Sequence, residues 1–162
     1  MDAVTVRIVG WDRRYARDVE RLSREWIERD FVSKAVDEAY YADPEAMVIP
    51  GGGEIFLALD GAACVGTCAA KVQADARVEL SKLSVTEAAR GRGIGRALCE
   101  RVIAFAAARG APAVILLTNS GLVPAIRLYE SLGFVHRPMP FARPHPDADV
   151  YMELPLREPP AG

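Results

Sequence analysis

Cysteine is scarce: three in 162 residues. Cys64 and Cys68 lie four apart in a stretch of small residues, and Cys99 lies in a helical pattern. None forms a Cys-x-x-Cys pair or has a histidine at zinc-ligand spacing, so no disulfide scaffold is expected and the thiols read as small buried hydrophobes. Such usage fits a reducing cytoplasm. Histidine is scarcer still. His136 and His145 form no cluster with cysteines or carboxylates and read as surface residues, so no metal is expected. Apolar runs fall well short of the ~18–20 residues of a membrane span. The opening MDAVTVRIVG has no basic stretch followed by an apolar run, so it does not read as a signal peptide. Neither sign of charge dominates: 20 basic and 22 acidic residues leave a net −2. A pI near 5.7 argues against a nucleic-acid partner, whose domains carry a basic excess.

What the sequence does have is a core. Half of the residues (51%) are hydrophobic, which excludes disorder. The length suits one domain, expected over residues 1–156 with a flexible tail at 157–162. Val4, Val6 and Ile8 alternate as in a strand. From Asp12, a plausible N-cap, Tyr15, Val19, Leu22, Trp26 and Ile27 mark one helical face. A weaker helix is expected over 33–41, and Asp43-Pro44 and the glycines at 51–53 punctuate the stretch after it. Two apolar runs flank Asp60-Gly61, a hairpin signal. Residues 78–85 read as a strand, 94–109 as a helix, 113–117 as an interior strand, and 124–132 as a helix closed by Gly133. Two more strands are expected at 134–137 and 150–154. The mixture of strands and helices predicts a single α/β domain.

Between the strand ending at Val85 and the next helix lies Arg90-Gly91-Arg92-Gly93-Ile94-Gly95. Its glycines allow a tight turn and bring backbone N–H groups near a ligand. The helix adds unpaired N–H donors and the positive end of its dipole. Together these suit a pyrophosphate, and Arg90, Arg92 and Arg96 add charge. The Rossmann spacing G-x-G-x-x-G fails, because Arg96 and Leu98 stand where its last glycine would be. The Gly-Lys-Ser/Thr ending of a P-loop is also absent.

Arg90-x-x-Gly93-x-Gly95 resembles the (Arg/Gln)-x-x-Gly-x-(Gly/Ala) signature of the GCN5-related N-acetyltransferases, or GNAT family. Glu79-Leu-Ser-Lys-Leu-Ser-Val85 resembles the strand before that signature. Thr118-Asn119 and Pro124-Ala-Ile-Arg-Leu-Tyr129-Glu-Ser-Leu-Gly-Phe134 resemble the strand and helix after it. The close match spans residues 79–134, and the element order agrees along nearly all of the chain. The resemblance implies a mixed, mostly antiparallel sheet of six or seven strands, flanked by about four helices, with splayed central parallel strands. It implies acetyl-CoA as co-substrate. The backbone from Arg90 through Gly91, Arg92, Gly93, Ile94 and Gly95 to Arg96 would hold the pyrophosphate. Leu83, Ser84 and Val85 would lie along the pantetheine arm, with Asn119 and Ala125 at the thiol end and Tyr129 near the sulfur.

The residues add an observation of their own. Leu80 has one parity in its strand, whereas Leu83 and Val85 have the other. Either a β-bulge or a strand buried on both faces accounts for the slip. Acetyl transfer to an amine needs a neutral amine, a polarised thioester carbonyl and a proton for the departing thiolate. A backbone N–H at Leu83 or Val85 is the candidate oxyanion donor. Tyr129 is the candidate acid and Glu79 the candidate base, with a water chain as its alternative. Trp26 and Ile27 are candidate acceptor-binding residues, since in the family the N-terminal helical region covers the acceptor pocket. Residues 35–75 carry a net −6 and 77–110 a net +4, so an acidic acceptor end would draw in a cationic amine. The acceptor, a small molecule or a protein amine, is not legible. An exposed C-terminal edge strand would let two copies pair as a homodimer. The competing functional reading is a non-catalytic acyl-CoA-binding sensor or interaction module.

Overall fold

The computed structural model describes residues 6–30, 38–140 and 148–156, with the side chains of 26–30 outside that description. Strand β1 (Val6–Val9) leads to Asp12, whose carboxylate accepts from Arg14 N at 3.0 Å and caps a 3-10 turn at Arg13–Tyr15. That turn runs into helix α1 (Ala16–Asp30), whose Val19 and Leu22 are fully buried. The weak helix expected over 33–41 is described only from Glu38, as α2 (Glu38–Ala42). Asp43 then starts a further helix, α3 (Pro44–Val48), by accepting from Ala46 N at 3.0 Å. Pro44 sits in its first turn, where a missing N–H costs nothing. The break read at Asp43-Pro44 is therefore also a helix start, which is why the described helices number five.

Strands β2 (Glu54–Asp60) and β3 (Ala63–Val72) form the hairpin expected at Asp60-Gly61, with Gly61 at φ +61°. After β4 (Val78–Val85) come a 3-10 turn (Glu87–Ala89), α4 (Ile94–Ala108), β5 (Ala113–Thr118), α5 (Val123–Ser131), β6 (Val135–Arg137) and β7 (Val150–Pro155). The seven described strands form one sheet in the order β1-β2-β3-β4-β5-β7-β6. Its parallel pair is β4–β5, joined through α4. That pairing stops after two residue pairs, Val78 with Val114 and Glu79 with Ile115. β5 continues along β7 through six pairs, so the strands part in the middle of the sheet.

Each face carries a core. On one face Leu98, Cys99 and Val102 of α4 pack with Val114, Leu116 and Met152 of the sheet. Ile94, Leu98 and Val102 form the buried stripe of α4, and Phe105 continues it, partly buried and edge-on to Phe56. On the other face Val19, Leu22, Tyr40 and Val48 cover Ile55 and Leu57. Burying each large aliphatic chain contributes about 1.5–3 kcal/mol. Cys64, Cys68 and Cys99 are free and buried, as their surroundings in the sequence indicate. His136 is exposed, 3.0 Å from Glu130; His145 lies outside the described residues, as do 157–162. Among the described residues no helix is long and apolar enough to cross a membrane.

Candidate active site

The parting of β4 and β5 leaves backbone donors and acceptors along the facing sides of two interior strands. At the C-terminal end of that gap is the glycine loop. Gly91 and Gly93 both sit at positive φ, +79° and +78°, which L side chains rarely adopt. A Cβ at either would meet nothing within 4 Å, so the loop faces open space. Gly93 caps α4 without a side-chain hydrogen bond, and the first bond back into the loop is Ala97 N to Gly93 O, 3.0 Å. The N–H groups of the preceding turn thus belong to the unpaired set of a helix start. Ile94 is buried and anchors the helix, while Gly95 packs near Leu128 and Val85.

The loop is braced on several sides. Arg92 pairs with Asp60 at 3.1 Å, tying it to the β2–β3 hairpin. Arg90 donates to Val85 O at 3.3 Å. Arg96 pairs with Glu100 at 3.0 Å and donates to Ser131 Oγ at 2.9 Å. Glu25 of α1 accepts from Glu87 N at 3.2 Å, clamping the approach to the loop. Sequence reasoning does not reveal the Asp60 and Glu25 anchors, because each is distant in the chain from the group it holds.

The slip in β4 is a bulge. Opposite it, Thr67 pairs with Ser84 and Ala69 with Ser81, so Cys68 faces two residues, Lys82 and Leu83. Lys82 takes the strain, at φ +58°. As a result Val78 and Leu80 before the bulge and Leu83 and Val85 after it all pack on the α4 face. Ser84, buried, points the other way. Sequence reasoning does not single out Lys82, although it sits at the slip. Its ammonium lies 5.7 Å from the ring centroid of Tyr40 on α2. Burial lowers its pKa from the usual lysine range to about 8.

Tyr129 is buried in the α4-side core, edge-on to Phe134. Burial pushes its phenol well above the ordinary value, with Cys99 and Cys68 close enough to add to the shift. Burial likewise raises both thiols, Cys99 to about 12. Glu79 stands at the last β4–β5 pair, where the gap opens, so it is on an interior strand rather than an edge. Burial raises its carboxyl pKa, and Lys71, paired with it across β3, acts against that rise. Gln73 Nε2 donates to Glu79 Oε1 at 3.4 Å. At the end of β5, Asn119 Oδ1 accepts from Gly121 N at 2.8 Å and shapes the turn into α5. Ala125 of α5 is partly buried against the α4-side core. The side chains of Trp26 and Ile27 lie outside the described residues.

The acidic stretch has a different character from its formal charge. Glu38 pairs with Arg24, Glu45 with Arg13, Asp60 with Arg92 and Asp75 with Arg77. Asp43 caps α3, and Glu54 accepts from Trp11 N. These carboxylates are engaged in holding the fold and do not make an open acidic patch.

Comparison with known proteins gives a concordant result. The family described as "Acetyltransferase (GNAT) family" matches residues 20–134. N-acetylaspartate synthetase from Rattus norvegicus is 43% identical over 100 residues, which are 61% of this chain and 31% of that protein. N-acetyltransferase family 8 member 2 from the same organism is 34% identical over 115 residues, 67% of this chain and 50% of that one. The chain thus spans between about a third and a half of the length of these curated relatives. A solved acetyltransferase of the GNAT family from Staphylococcus aureus Mu50 superposes with a TM-score of 0.84 at 19% identity, over 94% of this chain and 100% of that one. A GNAT superfamily phosphinothricin acetyltransferase from Sinorhizobium meliloti, solved in complex with acetyl-CoA, gives 0.75 at 22% identity, over 93% and 88%.

Proposed function

Because the chain belongs to the GNAT acetyltransferase family, we propose that it binds acetyl-CoA between β4 and β5 and transfers the acetyl group to a primary amine within a ternary complex. The observation that carries this reading is the parting of β4 and β5 beside an open helix start built on Gly91 and Gly93. In it, backbone N–H groups from Arg90 to Arg96 receive the pyrophosphate. Leu83, Ser84 and Val85 offer strand edges to the amides of the pantetheine arm, and Asn119 and Ala125 flank the thiol end.

The amine nitrogen attacks the thioester carbonyl carbon. A C–N bond forms, the C–S bond breaks, and the nitrogen loses a proton. Glu79 accepts that proton, directly or through water; its raised pKa brings it nearer to the working range of a general base. A bulge N–H at Leu83 or Val85 stabilises the oxyanion. Tyr129 protonates the departing sulfur. An exposed thiolate is too weak a base to take a proton from an ordinary phenol. Burial raises the phenol and the nearby Cys68 and Cys99 thiols in the same direction, so a thiolate buried there would be a stronger base facing a weaker acid.

In this reading residues 1–156 serve the function as one domain. Three buried free thiols favour a reducing, cytoplasmic setting. The exposed edge strand β6 offers a place for two copies to pair. The test is calorimetric titration with acetyl-CoA, alongside thiol release against a panel of primary amines. L-aspartate heads the panel, because several matched relatives are N-acetylaspartate synthetases. Binding with thiol release supports the transferase. Binding without turnover favours the sensor, and absence of binding removes both.

A further inference from the structure

The α1–α3 face of the sheet carries two polar groups that the acetyl transfer does not use, and both sit at the bulge. Lys82 is held in a left-handed conformation that only a few non-glycine residues adopt. Without the bulge it would fall on the opposite parity, because one extra residue switches the face of everything beyond it. Its ammonium is over the Tyr40 ring at 5.7 Å. Tyr40 is 3% exposed, and its hydroxyl has no hydrogen-bond partner among the described residues. It also lies close to Cys68, the residue opposite the bulge. A buried hydroxyl without a partner is costly, and a ligand or an ordered water reaching it would complete its hydrogen bonding.

We propose that Lys82 and Tyr40 form a carboxylate subsite in the acceptor pocket, so that the amine acetylated is that of a small amino acid. This rests on the transferase reading. The bulge lies between Glu79, where the gap opens, and the glycine loop beyond Val85, so it is level with the reactive end of a donor whose pyrophosphate sits at the loop. A lysine ammonium and a phenol O–H are both donors, and together they match the acceptor lone pairs of a carboxylate. The same positive charge opposes binding of a simple alkylammonium. An amine that carries its own acid offsets that repulsion. It also gains from the cation, which favours the neutral, nucleophilic form of the nitrogen. Four of the carboxylates in residues 38–75 are each paired with an arginine, which weakens their pull on a purely cationic acceptor.

The experiment compares wild type with Lys82→Met, Lys82→Arg and Tyr40→Phe, by thiol release with acetyl-CoA. The acceptors are glycine, β-alanine, L-aspartate and L-glutamate, each beside the derivative whose carboxylates are primary amides. Acetyl-CoA binding by calorimetry serves as the control for folding and for the donor site. Wild type should favour the acids by at least tenfold in kcat/KM. Lys82→Met should erase that preference, mainly by raising KM for the acids, while the amides are accepted as well as by wild type or better and acetyl-CoA affinity stays within about twofold. Lys82→Arg should retain part of the preference, and Tyr40→Phe should lose a smaller share of it. An equal rate of wild type on acids and amides, or a preference that survives Lys82→Met, overturns the subsite and leaves the transferase standing. Failure of every amine to raise thiol release above the amine-free background overturns the transferase, and the subsite with it.

Discussion

The two faces of the sheet are built by different means. On the α4 face the proposed donor site is mostly backbone, the N–H groups at Gly91 and Gly93 and the strand edges beyond Glu79, with Tyr129 the buried side chain proposed to act there. Close packing of Ile94, Leu98 and Val102 holds them in place. On the α1–α3 face side chains from distant elements meet, Lys82 from β4 and Tyr40 from α2, and buried hydroxyls at Tyr40 and Ser23 lack partners among the described residues. A backbone site needs a fixed local spacing of glycines and so leaves a motif. A side-chain site assembled across the fold leaves none. The first can be shared by many proteins with a common donor, while the second is free to differ between them.

The sharpest test of this division is Tyr129→Phe. Loss of the phenolic proton should lower kcat by about a hundredfold or more, the scale of one general acid. Acetyl-CoA affinity should stay within twofold by calorimetry, since the ring still packs on Phe134. A matched loss of affinity would place Tyr129 in the binding frame instead. Next in size is Gly93→Val. A β-branched residue at φ +78° costs about 1–2 kcal/mol and turns the N–H groups away. We expect acetyl-CoA affinity to fall by tenfold or more, with a smaller loss of thermal stability.

Glu79→Gln addresses the boundary between the faces. Burial raises the carboxyl pKa in the folded protein. Such a group favours folding in its protonated form, and that contribution is lost as pH rises through the folded value. Removing the charge should therefore leave stability at pH 7 unchanged or improved, as read by thermal melts. Activity should drop about tenfold. The acidic limb of the wild-type kcat/KM profile, set above the usual carboxylate range, should vanish in the variant. A persistent limb would assign it to another group. The smallest effect is expected for Asp60→Asn, which frees Arg92. Both partners are about a third exposed, so stability should change by less than about 1 kcal/mol. Acetyl-CoA affinity should shift only a few-fold and depend on salt.

Most of the frame is legible in the residues. Alternation marks β1, β4 and β7, and the stripe at Ile94, Leu98 and Val102 marks α4. Even the bulge shows itself, as a change of hydrophobic parity between Leu80 and Leu83. Other features have no local signal. Asp43-Pro44 reads equally well as a break or as a helix start, and only the bond to Ala46 decides it. The formal charge of residues 35–75 says nothing of the arginines that neutralise it, because Arg13, Arg24 and Arg92 lie far away in the chain. Lys82 is in view within β4, but its meaning depends on Tyr40, some forty residues earlier, and on the face to which the bulge turns it.

A sheet whose strands part in the middle has four margins rather than two. Besides β1 and β6 it has the inner sides of β4 and β5 beyond Glu79 and Ile115. Two rungs of hydrogen bonds join the half-sheet β1–β4 to the half-sheet of β5, β7 and β6. Helix α4, packed across β1 to β5, spans the same seam. Mechanically, α4 is the splint and Val78–Glu79 the stitch. Arg77, just before β4, adds a bond across the same seam to Tyr151 of β7 at 2.8 Å, and a molecule lying in the seam with its amides bonded to both sides would become a structural member of the sheet for as long as it stayed.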